Sequence, residues 1–204
     1  MAVTSFVSVS ETKSAFASNN TLYIADNKNN ILLKKPYTAK TVKGSTPFCA
    51  QLSKDGSMLA FHINPGEIQL LNTKNGELIK TINADFNFVG DMEFADAENL
   101  LIVREEYGGW SMRYFDISSG NEVKIKTLEL PSYSKEVSSF CLNADQSKLV
   151  LVHRGANAYI YDFPAKKLLH EFKISHTVKT VKTKFIGDKL GIRTDYGCFS
   201  LYNV

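Results

Sequence analysis

Five short apolar strands along the chain each end in an Asp or Asn, and these ends recur at nearly even spacing. They are Tyr-Ile-Ala-Asp at 23–26, Gln-Leu-Leu-Asn at 69–72, Arg-Tyr-Phe-Asp at 113–116, Tyr-Ile-Tyr-Asp at 159–162 and Ser-Leu-Tyr-Asn at 200–203. The marked residues Asp26, Asn72, Asp116, Asp162 and Asn203 lie 46, 44, 46 and 41 positions apart. A period of that size, built from short strands, requires a structural unit that is repeated and stacked instead of one mixed core.

The second repeat shows what the unit is. Phe48-Cys-Ala-Gln-Leu52 alternates and meets Ser-Lys-Asp-Gly at 53–56, a hairpin turn. A strand at 58–62 follows, then the turn Asn-Pro-Gly at 64–66, a strand at 67–71, the turn at 72–76 and a strand at 78–82. Four antiparallel strands in about 40 residues make one propeller blade. The first repeat places strands at 5–10, 14–18, 21–25 and 31–36, and the third at 88–94, 99–104, 110–115 and 123–130. The fourth places them at 137–142, 148–153, 158–161 and 167–174, and the fifth at 178–185, 189–193 and 198–202. No stretch keeps apolar residues at i, i+3, i+4 and i+7 over 11 or more positions, so an all-β protein is expected.

The second repeat also resembles a WD-repeat. Gln51-Leu-Ser-Lys-Asp-Gly-Ser-Met-Leu-Ala-Phe61 supplies the apolar strand and Asp-Gly turn, and Leu71-Asn72 stands where that family carries Trp-Asp. Ser175-His-Thr-Val-Lys-Thr-Val181 is similar to the Gly-His element that opens such a repeat, with Ser in place of Gly. No position carries Trp-Asp, and His176 is the only histidine at a repeat opening. The resemblance implies a degenerate WD-like β-propeller of about five blades, at 1–41, 42–84, 85–131, 132–175 and 176–204, in one domain. The fifth blade is expected to lack its outer strand. Either five blades close with a three-stranded last one, or the chain is the leading part of a larger propeller.

The chain of 204 residues is 44% apolar and 22% charged, ordinary for a globular domain with a sizeable core. Its net charge of +3, with basic and acidic residues mixed, gives no reason by itself to propose nucleic-acid binding. No apolar run approaches the roughly 18–20 residues that span a bilayer, and the N-terminus lacks the pattern of a signal peptide. Cys49, Cys141 and Cys198 are odd in number and widely spaced, with the first two inside apolar strands. These features together fit an intracellular, more specifically cytoplasmic, protein without membrane association.

No catalytic pattern is present: no Gly-x-Ser-x-Gly elbow, no His-Glu-x-x-His and no phosphate loop. A non-enzyme with no cofactor and no metal is expected. His62 and His153 fall near the ends of second strands in separate blades and are expected to face loops. Asp55, Asp96, Asp145 and Asp188 sit in hairpin turns, where a carboxylate bonds local backbone N–H groups. Asp26, Asn72, Asp116, Asp162 and Asn203 read as turn caps in the same way.

The connection Arg104-Glu-Glu-Tyr-Gly-Gly-Trp110 departs most from the repeat. Tyr, Trp and Arg are enriched in interface hot spots, so Arg104, Tyr107 and Trp110 are the expected partner-binding anchors. Tyr133 and Lys135, in the segment between the third and fourth blades, extend that patch. Lys173, Lys179, Lys182 and Lys184 make the fifth repeat locally basic, although Thr180 and Thr183 interrupt strict alternation.

The leading expectation is a non-catalytic scaffold that docks other proteins into an assembly. A second is an RNA- or ribosome-associated factor, because the segment around Cys49–Phe61 is weakly similar to the propeller of eukaryotic translation initiation factor 2A. A third is the propeller part of a hydrolase whose catalytic domain lies elsewhere.

Overall fold

The computed structural model describes residues 4–38, 49–85, 88–95, 99–106, 111–124, 136–153, 157–174, 181–194 and 196–204. Among the described residues there is no helix, and the strands form five antiparallel sheets of three or four. Sheet 1 contains β1 (Thr4–Val9), β2 (Lys13–Ser18), β3 (Thr21–Asp26) and β4 (Ile31–Pro36). Sheet 2 contains β5 (Cys49–Leu52), β6 (Met58–Asn64), β7 (Glu67–Asn72) and β8 (Leu78–Asn83). Sheet 3 contains β9 (Phe88–Ala95), β10 (Leu100–Glu106) and β11 (Met112–Asp116). Sheet 4 contains β12 (Val137–Leu142), β13 (Lys148–His153), β14 (Asn157–Asp162) and β15 (Lys167–Lys173). Sheet 5 contains β16 (Val181–Ile186), β17 (Lys189–Thr194) and β18 (Phe199–Asn203). Each sheet is a meander in which strands neighbour one another in chain order.

Most strand ends agree with the sequence to within one or two residues. The outer strand expected at 123–130 is described only at its start, where Phe115 bridges Glu122 and Val123 N–H donates to Tyr114 O at 2.8 Å. Residues 125–130 lie outside the described residues. β10 runs on to Glu106, two residues past the expected end at Arg104.

The turns follow from their polar residues. Asp26 Oδ1 accepts the N–H groups of Lys28 and Asn30, both at 2.8 Å, and Asn72 Oδ1 accepts that of Lys74 at 2.8 Å. Asp116 Oδ1 accepts Ser118 Oγ–H and Ser119 N–H, both at 2.6 Å, and Asp162 Oδ1 accepts Ala165 N–H at 2.9 Å. In each case the carboxylate or amide satisfies N–H groups that the turn leaves unpaired. Gly76 and Gly120 both stand four residues after such a cap, with φ of 72° and 76°. Both are also approached by a side chain of the preceding sheet: an added Cβ would meet Leu33 Cδ2 at 3.0 Å in one case and Lys80 Cδ at 3.0 Å in the other. Conformation and close approach both demand glycine.

Two compact units divide the chain, one holding sheets 1 and 2 with most of sheet 3, the other holding sheets 4 and 5. Within each unit the first strands of successive sheets lie side by side, β1 by β5 and β5 by β9 in one, β12 by β16 in the other. Every sheet then has two faces set by the strand alternation. The leading face of sheet 1, with Ala15, Leu22 and Ile24, packs on the trailing face of sheet 2, with Leu52, Leu59, Phe61 and Leu71. The leading face of sheet 2, with Ala60, Ile68 and Leu70, packs in the same sense on Met92, Phe94, Leu101, Val103 and Phe115 of sheet 3. In the other unit Val150, Val152, Ala158 and Ile160 of sheet 4 meet Leu190 and Ile192 of sheet 5. Complete burial of one such Leu or Ile contributes about 1.5–3 kcal/mol, so these faces dominate the folding of each unit.

Polar contacts reinforce the same stacking. The buried Ser8 Oγ on β1 accepts Leu52 N–H on β5 at 2.9 Å, and Ser139 Oγ on β12 accepts Thr183 N–H on β16 at 3.1 Å. Lys13 Nζ at the start of β2 donates to Thr73 Oγ1 at 2.7 Å and Gly56 O at 3.0 Å in the next sheet. Lys148 holds the same place in β13 and donates to Val204 O at 3.2 Å. Thr73 and Val204 each directly follow a strand-ending Asn, so the two lysines make one repeated clamp. Met58 stands at that place in sheet 2 and packs against the apolar cluster that includes Ile117, the residue after Asp116.

Candidate interaction surface

Of the five expected anchors, the described structure places only Arg104; Tyr107, Trp110, Tyr133 and Lys135 lie outside the described residues. Arg104 is not a surface anchor. Its residue is 2% exposed, and Nε donates to Asp91 Oδ2 at 2.8 Å across the β9–β10 pair. The side chain can lie flat there because Gly90 has no Cβ. An added Cβ would fall 1.9 Å from Arg104 Nη2. The strand continues past Arg104, so alternation turns its side chain onto the sheet face beside Ile102 instead of into a loop.

His62 and His153 are likewise buried where loop-facing histidines were expected. His62 Nδ1 contacts Glu67 O at 2.9 Å, and burial pushes its pKa down. His153 packs edge-on against Tyr159, with ring centroids 4.9 Å apart, and burial holds its pKa down at about 4. Both are neutral near pH 7 and belong to the interior. Among the described residues no group of three His, Cys, Asp or Glu is gathered to hold a metal ion. Cys141 is buried, Cys49 half-buried and Cys198 exposed, all as free thiols.

The surface that departs from the repeat is on sheet 5. Two residues before the strand-ending Asp or Asn, Ile24, Leu70, Tyr114 and Ile160 are all buried, whereas Leu201 is 52% exposed. Four residues before it, Leu22, Ile68 and Ala158 are buried, whereas Phe199 is 56% exposed. The strand pairing Lys184↔Gly191↔Leu201 and Lys182↔Arg193↔Phe199 sets these residues on the leading face of the sheet. Ile186 belongs to the same face and is 53% exposed. Gly191 lies beneath them, and an added Cβ there would touch Ile186 Cδ1 at 3.0 Å and Phe199 Cε2 at 3.2 Å. Exposed Lys182, Lys184, Lys189 and Arg193 surround this apolar strip. The opposite face, with Leu190 and Ile192, is the one buried on sheet 4.

One edge of the same sheet is also distinct. In sheets 1, 2 and 4 the third strand carries a fourth, but β18 pairs only with β17 among the described residues. The repeat tells which backbone groups of β18 point outward. The N–H of the strand-ending residue runs toward the fourth-strand side in Asp26→Asn30 O at 3.0 Å, Asn72→Glu77 O at 2.9 Å and Asp116→Asn121 O at 3.0 Å. Tyr114 O, two residues earlier, accepts from that side too. Since backbone direction alternates, the N–H and C=O groups of Phe199, Leu201 and Asn203 point away from β17.

Sequence reading missed this surface because Phe199 and Leu201 carry the same alternation as their buried counterparts. The available signal was the cluster of lysines in the fifth repeat, of which Lys182 and Lys184 share the exposed face.

These features define an all-β repeat protein of antiparallel meander sheets, stacked leading face to trailing face within each unit. No protein-family model matches the chain, and no curated protein does. Among solved structures the chain is similar to the computationally designed Ika8 protein, with a TM-score of 0.63 and 13% identity. The likeness covers 98% of this chain and 58% of that one, so the chain spans 58% of the designed protein's length. At such low identity the likeness is one of fold.

Proposed function

We propose that the chain is a non-catalytic interaction platform, a degenerate WD-like β-propeller or propeller segment that docks proteins into a larger intracellular assembly. The propeller reading is supported by meander sheets whose first strands lie side by side and whose faces stack in one sense within each unit. The platform reading rests on one observation: Phe199 and Leu201 are half-exposed at positions that every comparable sheet buries or half-buries. An apolar strip rimmed by cations has the composition of a protein contact. The test is affinity capture with the wild-type chain and a Phe199→Lys/Leu201→Lys variant. Loss of captured proteins with unchanged thermal unfolding supports the platform; identical captured sets for both chains reject this surface.

The rim Lys182, Lys184, Lys189 and Arg193 favours a second reading, contact with RNA phosphates. Its mark is binding to a single-stranded RNA oligonucleotide that falls steeply with salt and is lost on charge reversal at Lys184 and Arg193. Binding that is insensitive to both removes it.

A further inference from the structure

We propose that Asp55-Gly56 and Asn75-Gly76 are two isoaspartate-forming sites held in check by sheet 1, so that opening of the stack between sheets 1 and 2 starts a lasting chemical loosening of it. The chain has one Asp-Gly and one Asn-Gly, and both fall in turns of sheet 2. A glycine after Asp or Asn has no side chain to keep the preceding carboxyl or amide carbon away from its backbone nitrogen. At Asn75 the Gly76 nitrogen bonds to Cγ, its proton departs with the side-chain NH2 as ammonia, and a succinimide ring closes. Water then opens the ring at either carbonyl, giving Asp or isoaspartate. At Asp55 the same attack expels water, and reopening restores the composition with the main chain rerouted through Cγ.

Both turns present the carbon and withhold the nitrogen. Asp55 and Asn75 are exposed, whereas Gly56 and Gly76 are buried. Gly56 N–H donates to Ser53 O at 2.9 Å and Gly76 N–H to Asn72 O at 2.8 Å, which keeps both protons from bases in water. Asp55 Oδ1 accepts Ser57 N–H at 2.9 Å and Ser53 Oγ–H at 2.7 Å, and Asn75 Oδ1 accepts Glu77 N–H at 3.0 Å. Led by the Ser57 N–H, such bonds hold the Asp55 carboxyl below its ordinary range, in the ionised form that is a poor electrophile.

Sheet 1 supplies the cover. Gly56 lies under the β1–β2 turn, where an added Cβ would fall 2.7 Å from Thr12 Oγ1 and 2.8 Å from Ser10 Oγ. Lys13 Nζ donates to Gly56 O at 3.0 Å, and Thr12 Oγ1 donates to Asp55 O at 3.2 Å. Gly76 lies against Leu33 of β4, and its carbonyl accepts Lys35 Nζ. Isoaspartate adds one methylene to the main chain just before each glycine, so the carbonyl leaves its lysine and the glycine leaves its seat. Each modification weakens the packing that had suppressed it, and closing the sheets does not remove it.

The test incubates the whole chain near neutral pH, native and in urea. Peptide mapping reads Asn75 by its change in mass and Asp55 by chromatographic separation of the isoaspartyl peptide. The expected result is conversion at both sites slower in the native chain by about tenfold or more, because each requires local opening. Thr12→Ala/Lys13→Met speeds conversion at Asp55 and not at Asn75, and Leu33→Ala/Lys35→Met does the reverse; none of the four residues is fully buried. The aged fraction carrying isoaspartate in place of Asn75 melts below the unmodified chain, while Asn75→Asp, with the charge but the ordinary backbone, melts close to it. Equal rates in the native and urea-treated chain overturn the gating, and that comparison needs no variant. Equal acceleration of both sites by either double variant, or acceleration by neither, also overturns it. Modified protein that melts with the unmodified chain overturns the loosening.

Discussion

The guanidinium of Arg104 occupies the place that a side chain on Gly90 would take, with Nη2 only 1.9 Å from the ideal Cβ position. That vacancy lets Arg104 lie against Asp91 at 2.8 Å and remain buried. Gly90→Ala is expected to push the guanidinium off its carboxylate and cost about 1–3 kcal/mol by overpacking. Asp91→Ala is expected to cost about 3 kcal/mol or more, because it leaves a buried cation without that carboxylate. Urea unfolding of the two variants measures both; a pair of near-neutral results would refute the packing relationship.

Ser8→Ala and Ser139→Ala are expected to destabilise their units by about 1–3 kcal/mol each, since each removes the hydroxyl that accepts a backbone N–H of the next sheet. The specific sign is faster hydrogen exchange at Leu52 in the first variant and at Thr183 in the second. Uniform acceleration across the unit, without excess at those amides, would assign the loss to something else.

Lys13→Met is expected to cost less than about 1 kcal/mol, because the clamp is partly solvated. The chain itself places Met58 at the same position of sheet 2. Leu70→Ala, in the fully buried contact of sheets 2 and 3, is expected to cost about 2–5 kcal/mol. Thermal melts of both variants test this ordering.

Acid is expected to weaken the fold in two windows. His153 has its pKa lowered from 6.5 to about 4 by burial, so between those values the unfolded chain binds the proton more readily. Stability present above pH 6.5 is therefore lost as pH falls toward 4, and His153→Phe flattens that part of the profile. Below it, Asp116, held down first by the Ser118 hydroxyl, and Asp26, held down first by the Asn30 side chain, both lie under the ordinary 3.8. Their contribution is present above 3.8 and lost as pH falls through their lower folded values. Melting temperatures from pH 8 to 2, with and without His153→Phe, read the two windows separately.

The repeat made the strands legible. Alternation and Asp or Asn punctuation place β12, β13 and β4 at their observed bounds, and the turn chemistry of Asp26, Asn72, Asp116 and Asp162 is local enough to read without a fold. The burial of Arg104 was not legible. It depends on Asp91 and Gly90, which are brought opposite it only when β9 and β10 pair. The lysine clamps were hidden for the same reason, with partners 60 and 56 residues away.

By itself, the sequence determined the all-β character and where most of the described strands and turns fall, because hydrophobic alternation and turn capping act over a few neighbouring residues. Only tertiary structure decided which side of each strand is covered. Ile24, Leu70, Ile160 and Leu201 read alike along the chain, and three of them are buried while Leu201 is half-exposed. Alternation assigns a side chain to a face, but the free energy of that face depends on the sheet or water that meets it.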